Sequence, residues 1–82
     1  MRFVQEPTAV EARFEADGAV HPRRFTWQDA WLDVSDVGRQ WLDPDGRHVL
    51  IMVAARRTFE LLLERSSLAW RVVRAPDEAT TA

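Results

Sequence analysis

The sequence predicts an all-β protein, with five to six short antiparallel strands curled into a small barrel or roll and at most one short helical turn. Three observations carry that expectation. Apolar residues recur at alternate positions, as Val10, Ala12, Phe14 and Ala16 do against Glu11, Arg13, Glu15 and Asp17, and a period of two belongs to a strand with one wet face. Turn chemistry punctuates these runs at short intervals, at Asp17-Gly18 and at Asp43-Pro44-Asp45-Gly46. No long amphipathic helix interrupts them, and a flat sheet would leave one apolar face in water, so the strands are expected to curl.

In chain order, residues 1–9 contain Pro7 and no clear period, and read as a loose lead-in. The β-domain is expected over residues 10–74, beginning with the alternating run just described. His21-Pro22 is an extended segment leading into Phe25-Thr26-Trp27-Gln28-Asp29-Ala30-Trp31-Leu32-Asp33-Val34, the densest apolar stretch. This reads as a hairpin. With Asp29-Ala30 as its loop, Trp27 meets Leu32 and Phe25 meets Val34 on an inner face, while Gln28 meets Trp31 and Thr26 meets Asp33 on the other.

Residues 35–42 admit two readings. Ser35 is suited to cap a short helical turn with Val37 and Trp41 on one face; alternatively the chain stays extended and bends at Gly38. The extended path is preferred. After the Asp43–Gly46 turn, Val49, Ile51 and Val53 alternate with Leu50 and Met52, which marks a strand covered on both faces. Thr58 to Arg74 reads as a second hairpin. A loop over residues 64–67 sets Leu63 against Leu68, Leu61 against Trp70, Phe59 against Val72 and Glu60 against Arg71. Pro76 ends the pattern, and residues 75–82 read as a frayed tail.

Composition narrows the function classes. A chain of 82 residues is expected to make one domain that buries roughly 60–65% of its unfolded surface. With no cysteine there is no disulfide, thiol nucleophile or thiolate metal site. No apolar run approaches a membrane span and no secretory leader is evident, so the expectation is a cytoplasmic protein without a membrane partner. All eleven basic residues are Arg, and Lys, Asn and Tyr are absent. Codon bias in a GC-rich genome is preferred over selection of guanidinium for bidentate or stacking contacts, because it also explains the missing Asn and Tyr; the net charge of −2 gives no whole-molecule bias toward nucleic acid.

Chemistry is sparse. The hydroxyls Ser35, Ser66 and Ser67 and the histidines His21 and His48 form no nucleophile–base pattern. No HxH or HExxH spacing points to a metal. The aspartates of the Asp43–Gly46 turn lack further oxygen ligands for calcium, and Gly18, Gly38 and Gly46 stand too far apart to cradle phosphate. No enzyme, cofactor or metal is therefore expected.

The remaining signal is Arg beside aromatic, in Arg23-Arg24-Phe25-Thr26-Trp27, in Arg56-Arg57-Thr58-Phe59 and in Trp70-Arg71. Alternation points Phe25, Trp27, Phe59 and Trp70 inward and leaves the arginines wet. Trp31 is the exception, since its face otherwise carries Gln28, Asp33 and Ser35. It either packs beneath a neighbouring segment, the preferred reading, or belongs to a contact surface, where Trp is enriched. The candidate partner-binding residues are thus Arg23, Arg24, Trp31, Asp33, Arg56 and Arg57. An unidentified protein partner is the first expectation. The alternative is single-stranded nucleic acid, held by arginines and aromatics as in small β-barrels.

Pro22-Arg23-Arg24-Phe25-Thr26-Trp27, then Leu32, Val34, Val37 and Trp41, and finally Phe59-Glu60-Leu61 with Trp70-Arg71-Val72-Val73-Arg74, resemble a family of small uncharacterised bacterial β-domains. Its members carry an F-x-W hairpin and a closing F/Y-E-L…W-x-L/V-x-R hairpin, and the resemblance covers Val10 to Arg74. Two departures are visible: the family usually has Gly where this chain has Asp29-Ala30, and Gly before the F/Y-E-L strand where this chain has Arg56-Arg57. The resemblance supplies no catalytic residues. It implies an accessory role beside translesion-polymerase-like proteins in mutagenesis cassettes, hence in DNA-damage tolerance.

Overall fold

The computed structural model describes residues 1–77. Eight strands lie among them: β1 (Arg2–Pro7), β2 (Val10–Phe14), β3 (Val20–Trp27), β4 (Ala30–Asp33), β5 (Asp36–Asp43), β6 (Gly46–Val53), β7 (Arg57–Glu64) and β8 (Trp70–Ala75). A single 3-10 turn, Ala54–Arg56, is the only helical element among the described residues. All pairings are antiparallel, in a five-stranded sheet ordered β1-β8-β7-β6-β5 and a three-stranded sheet ordered β2-β3-β4.

The two sheets are joined at corners where the chain hands its backbone bonds from one sheet to the other. At the first corner Thr8 N–H donates to Trp70 O of β8 at 3.2 Å, while Ala9 O accepts from Thr26 N–H of β3 at 3.0 Å. At the second, Val34 N–H donates to Arg23 O at 2.9 Å and Ser35 N–H to Met52 O at 2.8 Å. Thus β1 continues into β2 and β4 into β5, and the strand neighbours close a circuit. Counting each bent pair once gives six strands in a roll. The Thr8 and Thr26 hydroxyls, 3.1 Å apart, brace the first corner.

The core lies between the sheets. From the small sheet come Phe25 and Trp27; from the large one come Val49, Ile51, Val53, Phe59, Leu61, Val72 and Ala75. Phe59 bridges the two, meeting Phe25 edge-on at 5.1 Å and Trp27 at 5.3 Å between ring centroids, a geometry that suits the ring quadrupoles.

Several sequence expectations change. Residues 2–7 are not a loose lead-in: β1 pairs with β8, Arg2 opposite Ala75 and Pro7 opposite Arg71. Its partners were invisible locally because they lie at the far end of the chain. Ala75, assigned to the tail, is buried and closes that pairing; the tail residues 78–82 lie outside the described residues. Residues 36–43 take the extended reading, with a bulge that sets Gly38 and Arg39 against Leu50.

Both hairpins keep the expected faces but slip by two positions. In the first, Phe25 faces Leu32, Thr26 faces Trp31 and Trp27 faces Ala30. The loop is Gln28-Asp29, at φ 50° and 64°, the left-handed pair that a type I′ hairpin turn requires. Ala tolerates that region poorly, so the turn moves off Ala30. In the second, Leu63 faces Trp70, Leu61 faces Val72 and Glu60 faces Arg74 rather than Arg71. There the loop comprises Arg65 to Leu68, closed by Glu64 N–H to Ala69 O at 2.8 Å, and Val73 is the extra residue of a bulge. The slip moves Leu68 out of the ladder and into solvent.

Candidate functional site

The outer face of the three-stranded sheet gathers Arg24, Trp31 and Asp33. Core packing of Phe25 and Trp27 turns Arg24 outward on β3, and half-burial of Leu32 turns Trp31 and Asp33 outward on β4. Arg24 lies directly opposite Asp33 on one side and Glu11 on the other. Its Nη2 donates to Glu11 Oε2 at 2.6 Å, and its guanidinium carbon stands 4.3 Å from the centroid of the Trp31 ring, a cation–π distance. The hydrogen bond from Arg24 holds the Glu11 carboxyl below its ordinary range, and the bond to Glu11 raises Arg24, with Asp33 adding to it. Arg24 Nε is buried with no acceptor among the described residues.

Trp31 is 45% exposed. The preferred reading, burial beneath a neighbouring segment, is overturned. Its ring lies against Arg24 instead of under another segment. A groove of 670 Å³ runs beside it, lined by Thr26 to Trp31 and by Arg2, Glu6 and Pro7 of β1.

The other candidates lie elsewhere. Arg23 is the extra residue of a bulge opposite the Glu11–Ala12 step, exposed, with its carbonyl bound to Val34 at the second corner. Arg56 is exposed in the 54–56 turn at φ 57°, beside Ala55 at 63°. Arg57 opens β7, half-buried, and its Nε donates to Ala54 O at 3.4 Å. The structure therefore joins Arg24, Trp31 and Asp33 into one surface and sets Arg23, Arg56 and Arg57 apart from it.

Sequence reading missed a polar network on the outer face of the five-stranded sheet. His48 is 8% and Glu60 5% exposed. His48 Nδ1 and Glu60 Oε2 are 2.7 Å apart, and Arg74 holds Glu60 Oε1 from Nε and Nη2, each at 2.6 Å. His48 Nε2 stands 2.7 Å from Asp43 Oδ2, an ion-pair distance, although no acceptor is aligned with it as a hydrogen bond. Trp41 stacks on His48 at 5.1 Å between centroids and 3° between planes, and Arg39 lies over Trp41. At Asp43 burial pulls the carboxyl upward, but the N–H groups of Asp45 and Gly46 and the His48 ring outweigh it and hold it below the ordinary value. A charge pair at Glu60 was legible, but naming Arg74 required the bulge at Val73.

Among the described residues no three His, Cys, Asp or Glu side chains are placed to hold a metal ion, and no helix is long and apolar enough to cross a membrane. No family model, curated protein or solved structure matches the chain, so the resemblance to small bacterial β-domains rests on the residues quoted for it.

Proposed function

We propose that this chain is a non-enzymatic cytoplasmic binding module that holds a protein partner on the outer face of its three-stranded sheet, with Trp31 as the anchor. The observation that carries the reading is Trp31 itself, nearly half exposed on a short strand and capped by Arg24 at 4.3 Å. A Trp held by its neighbours loses little conformational freedom on association, which is why such residues dominate binding energy. Glu11 is bonded to Arg24 and Asp33 lies opposite it, so a phosphate would have to displace the Glu11 carboxylate and approach a second one, which weighs against the nucleic-acid alternative. His48 already faces Asp43 and Glu60, which supports a structural role for it. The setting in DNA-damage tolerance is part of the proposal and rests on the resemblance alone.

The test compares proteins captured from native lysate by the wild type and by Trp31→Ala at matched thermal midpoints. The reading expects at least one protein retained by the wild type and lost by the variant; identical captures would sink it. In parallel, an oligonucleotide titration followed by NMR is expected to leave Arg23, Arg24, Trp31, Arg56 and Arg57 unshifted at low salt. Shifts there that fade with salt would reassign the surface to nucleic acid.

A further inference from the structure

The inner face of the five-stranded sheet extends further than the three-stranded sheet that covers it. Gln40 marks the boundary: it pairs with Val49 and its Nε2 donates to Val20 O, at the start of β3, at 2.7 Å. Beyond it, alternation keeps Leu42, Arg47 and Leu63 on the inner side, with Leu42 opposite Arg47, Arg47 opposite Leu63 and Leu63 opposite Trp70. Here the core's cover is missing. Leu42 is 69% and Leu68 73% exposed. With Leu63, Arg47 and Arg65 they line an open groove of 320 Å³ between the β5–β6 and β7–β8 turns.

The groove is held in shape. Arg65 N–H of one turn donates to Asp45 O of the other at 2.8 Å, and the bare α-carbon of Gly46 sits against Leu63 O. Leu68 occupies φ 59°, a left-handed conformation that disfavours L side chains. A strained, exposed leucine at a loop tip is a poor choice for folding alone.

Two acidic and two basic residues line the groove, Asp43 and Glu64 beside Arg47 and Arg65, and among the described residues only the acidic pair is engaged by opposite charge. Asp43 and Glu64 turn to the outer face, where Asp43 meets His48 and Glu64 meets Arg71 and Ser67. Among the described residues the Arg65 side chain has no hydrogen bond, ion pair or ring contact, and Arg47 reaches only the neutral Gln40 Oε1, at 3.4 Å.

We propose that this uncovered end of the sheet docks a short acidic segment of a partner protein, an apolar side chain against Leu42, Leu63 and Leu68 with carboxylates at Arg47 and Arg65. Burial of the leucines and charge-assisted bonds to the guanidinium groups would act together. A concave groove with its basic groups at two points suits such a peptide better than a flat anionic bilayer. This surface is separate from the Trp31 face and does not rest on its assignment.

The probe is a fluorescein-labelled acidic hexapeptide with a central Leu-Phe pair, titrated into the full chain and read by anisotropy. Saturable binding is expected, weakened roughly tenfold by Arg65→Glu and by Leu68→Gly. Arg13→Glu, an equal charge change on the other sheet, and Trp31→Ala are expected to leave it unchanged. Leu68→Gly relieves the left-handed strain, so its thermal midpoint should hold or rise while binding falls; a merely structural leucine would not separate the two. The proposal is overturned by absence of saturable binding, by Leu68→Gly binding as tightly as the wild type, or by equal losses in Arg13→Glu and Arg65→Glu. Association of the chain with anionic vesicles or with itself, abolished by Leu68→Gly, in place of peptide binding would also overturn it.

Discussion

Trp27 and Trp31 flank one tight turn and meet opposite fates. Trp27 packs edge-on against Phe59 inside the roll, whereas Trp31 stands in solvent with Arg24 laid over it. The difference is alternation: neighbouring positions on a strand face opposite sides of the sheet. At Gly46 the constraint is steric, since its φ is 148° and an added Cβ would run into Leu63 O and lie 2.9 Å from Arg65 N. Gly46→Ala is therefore expected to cost about 2 kcal/mol or more in chemical denaturation; a loss near zero would show that the two turns are not locked. Asp43 gives a pH signature. Its folded carboxyl titrates below its unfolded one, so its contribution is complete above the unfolded value of about 4 and fades as pH falls through the folded one. Asp43→Asn should flatten the fall in stability below about pH 4. An unchanged acid limb in the variant would contradict the assignment.

At the scale of elements, the sequence was legible in its faces and not in its partners. Alternation correctly divided Phe25 from Thr26, Val49 from Leu50 and Phe59 from Glu60. It could not set register, because a slip of two keeps every side chain on its own face. Only turn chemistry breaks that degeneracy, and here the turns use unusual residues: Gln28-Asp29 and Leu68 take left-handed conformations that Asn or Gly usually fill. Two further features were hidden for a related reason. Strand β1 has a partner at the other end of the chain, and the bulge at Val73 that brings Arg74 to Glu60 leaves no local mark. The surface residues fared likewise: Arg24, Trp31 and Asp33 share a face because β3 and β4 are adjacent, while Glu11 joins them only through the β2 pairing. The turn also yields a test. Replacing Gln28 by Asn and Asp29 by Gly should raise stability by about 0.5–1 kcal/mol, measured by thermal denaturation. Destabilisation would return the loop to Asp29-Ala30.

At the scale of the molecule, closure organises the rest. The chain passes between sheets at Thr8–Ala9 and at Val34–Ser35, and at each corner adjacent residues bond to different sheets. Because Phe59 touches Phe25 and Trp27 across the interior, neither sheet is complete alone, and the roll is expected to unfold as one unit. Phe59→Leu should lower stability by about 1–2 kcal/mol, with far-ultraviolet dichroism and tryptophan fluorescence still sharing one midpoint; two separate midpoints would mean that the sheets are independent. This closed frame is what makes Trp31 a fixed feature of the surface, and the binding role assigned to it is the central claim. A photo-crosslinking amino acid placed at Asp33, beside Trp31 on the outer face, tests it most directly, with the exposed Ala54 as control. Irradiation in cells is predicted to give a discrete adduct with one protein from position 33 and none from position 54. Equal labelling at both positions, or no adduct at position 33, would contradict a partner-binding face.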